Sequence, residues 1–87
     1  MLKIYGSMQC PDCVQCREDL DRAGTEYEFV DILENLRDLK AFLRLRDGSA
    51  LFDGCRREGL IGIPCLVWED GSLSLDWDGC LPHRPAE

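Results

Sequence analysis

Basic residues are scarce in this 87-residue chain: ten Lys and Arg stand against 17 Asp and Glu, a formal charge of -7. A phosphate backbone or an anionic membrane surface would be repelled overall, so neither nucleic acid nor a membrane is expected as the partner. Long apolar runs are also missing. Met1 is followed by Leu2-Lys3-Ile4-Tyr5-Gly6, too short and too interrupted for a signal peptide or a spanning segment, and a cytoplasmic setting is expected. Internal repeats and long linkers are absent as well. The length holds one small domain, read as residues 1–87 with 79–87 as a loosely ordered tail. Cysteine is present but falls short of a scaffold: six residues in 87 lie below the roughly 8–10% of a secreted disulfide framework. Number alone leaves staples, metal ligation and redox chemistry open, so placement has to decide.

Leu2-Lys3-Ile4-Tyr5 predicts a short strand that stops at Gly6-Ser7. From Cys10 to about Ala23 a helix is expected, with Pro11 at its start, Val14, Cys16 and Leu20 along it, and Gly24 ending it. Tyr27-Glu28-Phe29-Val30-Asp31-Ile32 carries the aromatic and branched residues of a second strand. Asn35 through Arg46 then sets Leu36, Leu39, Phe42 and Leu43 on a helical face. Ser49 is placed to cap a short helix to about Arg57. Cys65-Leu66-Val67-Trp68 and Leu73-Ser74-Leu75 read as a hairpin around Glu69-Asp70-Gly71-Ser72. The order β-α-β-α-(short α)-β-β implies an α/β fold with a four-stranded mixed sheet. Right-handed crossovers are expected to join its first three strands, and the hairpin adds the fourth.

The sharpest local pattern is Cys10-Pro11-Asp12-Cys13, a C-x-x-C placed after a strand and at the start of a helix. Unpaired backbone N–H groups and the positive end of the helix favour a thiolate at the first sulfur. Cys13, one turn further, is more shielded and within reach of a mixed disulfide on Cys10. The pattern therefore assigns a nucleophile to Cys10 and a resolving thiol to Cys13. Pro11 stiffens the loop, while the Asp12 carboxylate competes for the same positive potential and moderates the reactivity. Cys16 extends the run to C-x-x-C-x-x-C. The x3-C-P continuation of a bacterial cluster-binding run is missing, and the next cysteine is Cys55.

With Gly62-Ile63-Pro64-Cys65 entering the third strand, the chain resembles the glutaredoxin family of the thioredoxin-like fold over most of residues 1–75. The resemblance implies catalytic thiols at Cys10 and Cys13 and a cis-proline at Pro64. The Ile63 backbone would then pair beside Cys10 with a cysteinyl substrate. It also implies substrate contacts at Pro11, Asp12 and Asp78, glutathione as co-substrate, and no tightly bound cofactor or metal. Implied partners are glutathione or a thiol reductase and disulfide-bearing proteins, acting on a monomer. The chain departs from the family pattern where Gly62 replaces a threonine and where the usual Gly-Gly-x-Asp-Asp region becomes Ser74-Leu75-Asp76-Trp77-Asp78. The helix that usually follows is reduced, and the stretch between Asp47 and Gly62 is longer.

The expected function is thus reduction of protein disulfides or glutathione mixed disulfides. An iron–sulfur or metal-binding module and a redox-inactive binding domain are the alternatives. Arg44, Arg56 and Arg57 are candidates for substrate carboxylates, with a solvated role as the simpler reading. Cys16 and Cys65 are expected in the core; auxiliary redox or metal ligation by Cys16, and pairing of Cys65 with Cys55 or a regulatory role, stay open. Cys55 is read as an exposed residue on the short helix, and Cys80 as part of the Gly-rich tail. Trp68 and Trp77 are read as covering aromatics, and His83 carries little functional weight.

Overall fold

The computed structural model describes residues 1–75. Along them run β1 (Leu2–Gly6), α1 (Pro11–Arg22), β2 (Tyr27–Asp31), α2 (Leu36–Gly48), a 3-10 turn (Ala50–Phe52), α3 (Asp53–Glu58), β3 (Cys65–Val67) and β4 (Leu73–Ser74). The strands form one mixed sheet in the order β2-β1-β3-β4. β1 and β2 are parallel, with Gly6 opposite Asp31, as a strand–helix–strand crossover requires. β3 runs antiparallel to β1, pairing Cys65 with Tyr5, and β4 returns antiparallel to β3. This corrects the expectation that crossovers join the first three strands in the same sense. The 3-10 turn and α3 let the chain enter β3 from the opposite end of the sheet.

Strand alternation divides the core into two layers. Leu2, Ile4, Leu66 and Trp68 point to one face, where they bury Cys16 and Leu20 of α1. Tyr5 and Cys65 point to the other, packing with Ile32, Phe42 of α2 and Phe52. The Phe42 and Phe52 rings meet edge to face, with centroids 5.9 Å apart. Cys16 and Cys65 are fully buried, in agreement with their reading as core residues. Trp68 is buried too. The positions of Trp77, Asp78, Cys80 and His83, and the expected tail and reduced last helix, lie outside the described residues.

The element ends follow local chemistry. Pro11 opens α1, and the Thr25 N–H donates to the Leu20 carbonyl beyond its end, where Gly24 takes a left-handed conformation. Asn35 is the cap of α2 rather than its first residue: its Oδ1 accepts from the Asp38 N–H at 2.8 Å. Ser49 accepts from the Leu51 N–H and so starts the 3-10 turn that leads into α3.

Candidate functional site

Cys10 is the cap residue of α1, held there by its N–H bond to the Ser7 carbonyl at 3.1 Å. The loop before it is tied at two points. The Ser7 hydroxyl accepts from the Gln9 N–H, and one Asp31 oxygen accepts from the Met8 N–H while the other accepts from the Leu33 N–H. Since Asp31 ends β2, the turn that presents Cys10 is anchored to the neighbouring strand rather than left to its own flexibility.

Cys13 lies one turn below, fully buried. Its sulfur accepts a hydrogen bond from the Ser7 N–H at 3.4 Å. Burial nevertheless dominates and, with smaller contributions from a hydrogen bond to Cys10 and the nearby Cys10 and Cys16, pushes the Cys13 thiol up from its ordinary value of 9.0 to about 12. Space for this sulfur is made by Gly6. A Cβ there would sit 2.7 Å from Cys13 Sγ, closer than atoms tolerate. The two thiols therefore differ sharply: Cys10 is half-buried on the surface, and Cys13 is a protonated thiol packed beneath it.

Cys10 opens onto a groove of about 540 Å³ whose walls include Asp12, Cys55, Ile63, Pro64 and Leu75. The Ile63–Pro64 peptide bond is cis, as the resemblance implied. Four of the predicted site residues, Cys10, Asp12, Ile63 and Pro64, thus meet in one place, with Cys13 directly below and Pro11 exposed at the helix start. Asp78 lies outside the described residues. Asp12 is the only charged side chain among the described residues that line the groove.

The predicted anion sites separate from this groove. Arg56 is drawn away to the Arg46 and Ser49 carbonyls and the Asp53 carboxylate. Arg44 faces a different part of the surface, near Lys40 and Asp47. Arg57 is exposed and does not line the groove. Arg46 instead acts structurally: its Nε and Nη2 donate to the Ile61 and Leu60 carbonyls at 2.9 and 2.7 Å, fastening the groove wall to the end of α2.

Cys55 is not the exposed residue the sequence suggested. It is half-buried, packs against the layer that holds Cys65, and lines the groove with Cys10. Gly62, which has φ of +95°, sits against the Phe52 ring so closely that a Cβ would lie 2.8 Å from it, and beside Cys55 Sγ, which the same Cβ would meet at an ordinary 3.5 Å. Sequence reasoning also missed Gly6, Asp31 and Arg46. The glycine before the C-x-x-C loop is the one signal that pointed toward a close approach. A strand-end Asp and an arginine late in a helix carry no such mark. Among the described residues, no three His, Cys, Asp or Glu side chains gather as a metal site, and Cys16 is turned into the core with Leu20.

Comparison with known proteins adds a family-level finding. The model of a domain described as Glutaredoxin matches residues 2–51, a segment that contains Cys10 and Cys13 and ends before Cys55 and Pro64. An uncharacterized protein of Haemophilus influenzae is 45% identical over 73 residues, covering 84% of this chain and 85% of that protein. No solved structure matches the chain.

Proposed function

The chain belongs to the glutaredoxin family, and from that premise we propose that it is a thiol–disulfide oxidoreductase using Cys10 as nucleophile and Cys13 as resolving thiol. The observation that carries this reading is the pairing of a groove-facing Cys10 at a helix N-terminus with a buried, protonated Cys13 one turn below. Burial keeps Cys13 as a neutral thiol until a disulfide forms on the accessible Cys10 above it.

In the proposed cycle the Cys10 thiolate attacks one sulfur of a substrate disulfide R–S–S–R′. A Cys10–S–S–R bond forms, and R′S⁻ leaves and takes up a proton. Cys13 then attacks Cys10 Sγ, closing the Cys10–Cys13 disulfide and passing its proton to the departing RS⁻. Two external thiols, with glutathione as the proposed donor, reduce the pair and are themselves joined as a disulfide. Ile63 and Pro64 beside Cys10 offer backbone to an extended cysteinyl segment. Asp12 contacts the same segment, and Pro11 holds the loop. The described groove wall offers no positive charge to the carboxylates of glutathione, which favours protein disulfides as substrates over a tightly held tripeptide.

Turnover of a protein disulfide and of a glutathione mixed disulfide, measured for the wild type, Cys10→Ser and Cys13→Ser, tests the assignment. Cys10→Ser is expected to lose at least about 100-fold on both substrates. Cys13→Ser is expected to lose the protein-disulfide reaction and to keep part of the glutathione one. Retained turnover in Cys10→Ser would sink the mechanism.

A further inference from the structure

Two thiol pairs meet at one groove. A half-buried Cys10 lines it above the fully buried Cys13; a half-buried Cys55 lines it too and packs against the layer that holds the fully buried Cys65. The second pair is bracketed by the groove loop itself. Gly62 lies beside Cys55, and Cys65 begins β3 directly after Pro64. All four sulfurs are free thiols. Burial pushes the Cys65 thiol up to about 12, and the nearby Cys55 adds a smaller rise. A thiol held protonated in the core is inert toward solutes but remains able to resolve a disulfide formed on its neighbour.

We propose that Cys55 and Cys65 are a second redox pair, converted by a low-molecular-weight disulfide into a disulfide beneath the Gly62–Pro64 loop. Cys55, reached through the groove, attacks one sulfur of oxidised glutathione, forming a Cys55–glutathione mixed disulfide and releasing one glutathione. Cys65 then attacks Cys55 Sγ, and its proton goes to the second departing glutathione thiolate. The protein pair is oxidised by two electrons, and one oxidised glutathione becomes two reduced molecules. Neither step passes through Cys10, so this pair stands or falls separately from the function proposed above.

Peptide mapping distinguishes the outcomes, because trypsin places the cysteines on three separable pieces. Residues 4–17 carry Cys10, Cys13 and Cys16; residues 47–56 carry Cys55; residues 58–87 carry Cys65 and Cys80, since Pro85 protects the bond after Arg84. The reduced full-length chain bearing Cys80→Ser is incubated with oxidised glutathione, its remaining thiols are alkylated, and it is digested. The expected result is a link between residues 47–56 and 58–87 in most molecules, reversed by dithiothreitol and still formed when Cys10→Ser is added. Cys55 found unmodified, carrying only glutathione, or linked to residues 4–17 would overturn the proposal. So would a 47–56 to 58–87 link that forms in the wild type and disappears in Cys80→Ser.

Discussion

Gly6 shows how much of the site rests on a missing atom. Its carbonyl accepts from the Ile32 N–H at the end of β2, and its open side admits Cys13 Sγ, which a Cβ would meet at 2.7 Å. Gly6→Ala is therefore expected to cost about 1–3 kcal/mol in urea unfolding through overpacking. It should also slow closure of the Cys10–Cys13 disulfide by moving the buried sulfur, which rapid-quench alkylation would register. The roles proposed for Cys10 and Cys13 were readable from the C-x-x-C set after a strand and at a helix start, because a helix start and a one-turn separation are local properties. The place of Gly6 was not, since its close neighbour comes from the following helix and the reason for glycine appears only when the two are packed. Cys55 is the clearest misreading: its polar surroundings in the chain gave no hint that Phe52 and Gly62 would enclose it.

Among the elements, α2 does more than cover the sheet. Its last turn carries Arg46, whose guanidinium fastens Leu60 and Ile61 and so shapes the groove that Cys10 lines. Arg46→Ala removes both bonds while leaving the thiols in place. It is expected to raise KM for a protein disulfide roughly three- to ten-fold with little change in kcat, the split expected of lost binding rather than lost chemistry. The strands and the two longer helices were legible from periodicity and caps; Asn35, Gly24 and Ser49 each mark a boundary to within a residue or so. The stretch from Asp47 to Gly62 was legible only as a turn and a short helix. Its purpose, reversing the chain so that β3 runs antiparallel to β1, depends on pairing between segments far apart in sequence.

For the whole molecule, two of the three buried thiols among the described residues, Cys13 and Cys65, make alkaline stability a test of the packing. Cys13 and Cys65 each stay protonated up to about 12 in the folded chain, whereas their ordinary value is 9.0. The unfolded chain thus loses protons between about pH 9 and 12 that the folded chain keeps. The stability associated with the neutral thiols is fully present below pH 9 and is lost as the pH rises through that window. Urea midpoints should fall more steeply from pH 8.5 to 11 in the wild type than in Cys65→Ala, measured under reducing conditions. Equal slopes would mean that the thiol is not desolvated as the structure places it. The sequence by itself determined the strand–helix–strand start, the cap positions, and the setting of Cys10 and Cys13, because each depends on residues within a turn or two of one another. It also determined that Cys16 would be buried, as a helical neighbour of Leu20. Only the tertiary structure decided the direction of β3, the use of Arg46 on the groove wall, and the meeting of Cys10 with Ile63, Pro64 and Cys55. Those follow from which face of the sheet each segment must bury, and that choice is made only when the two core layers close on each other.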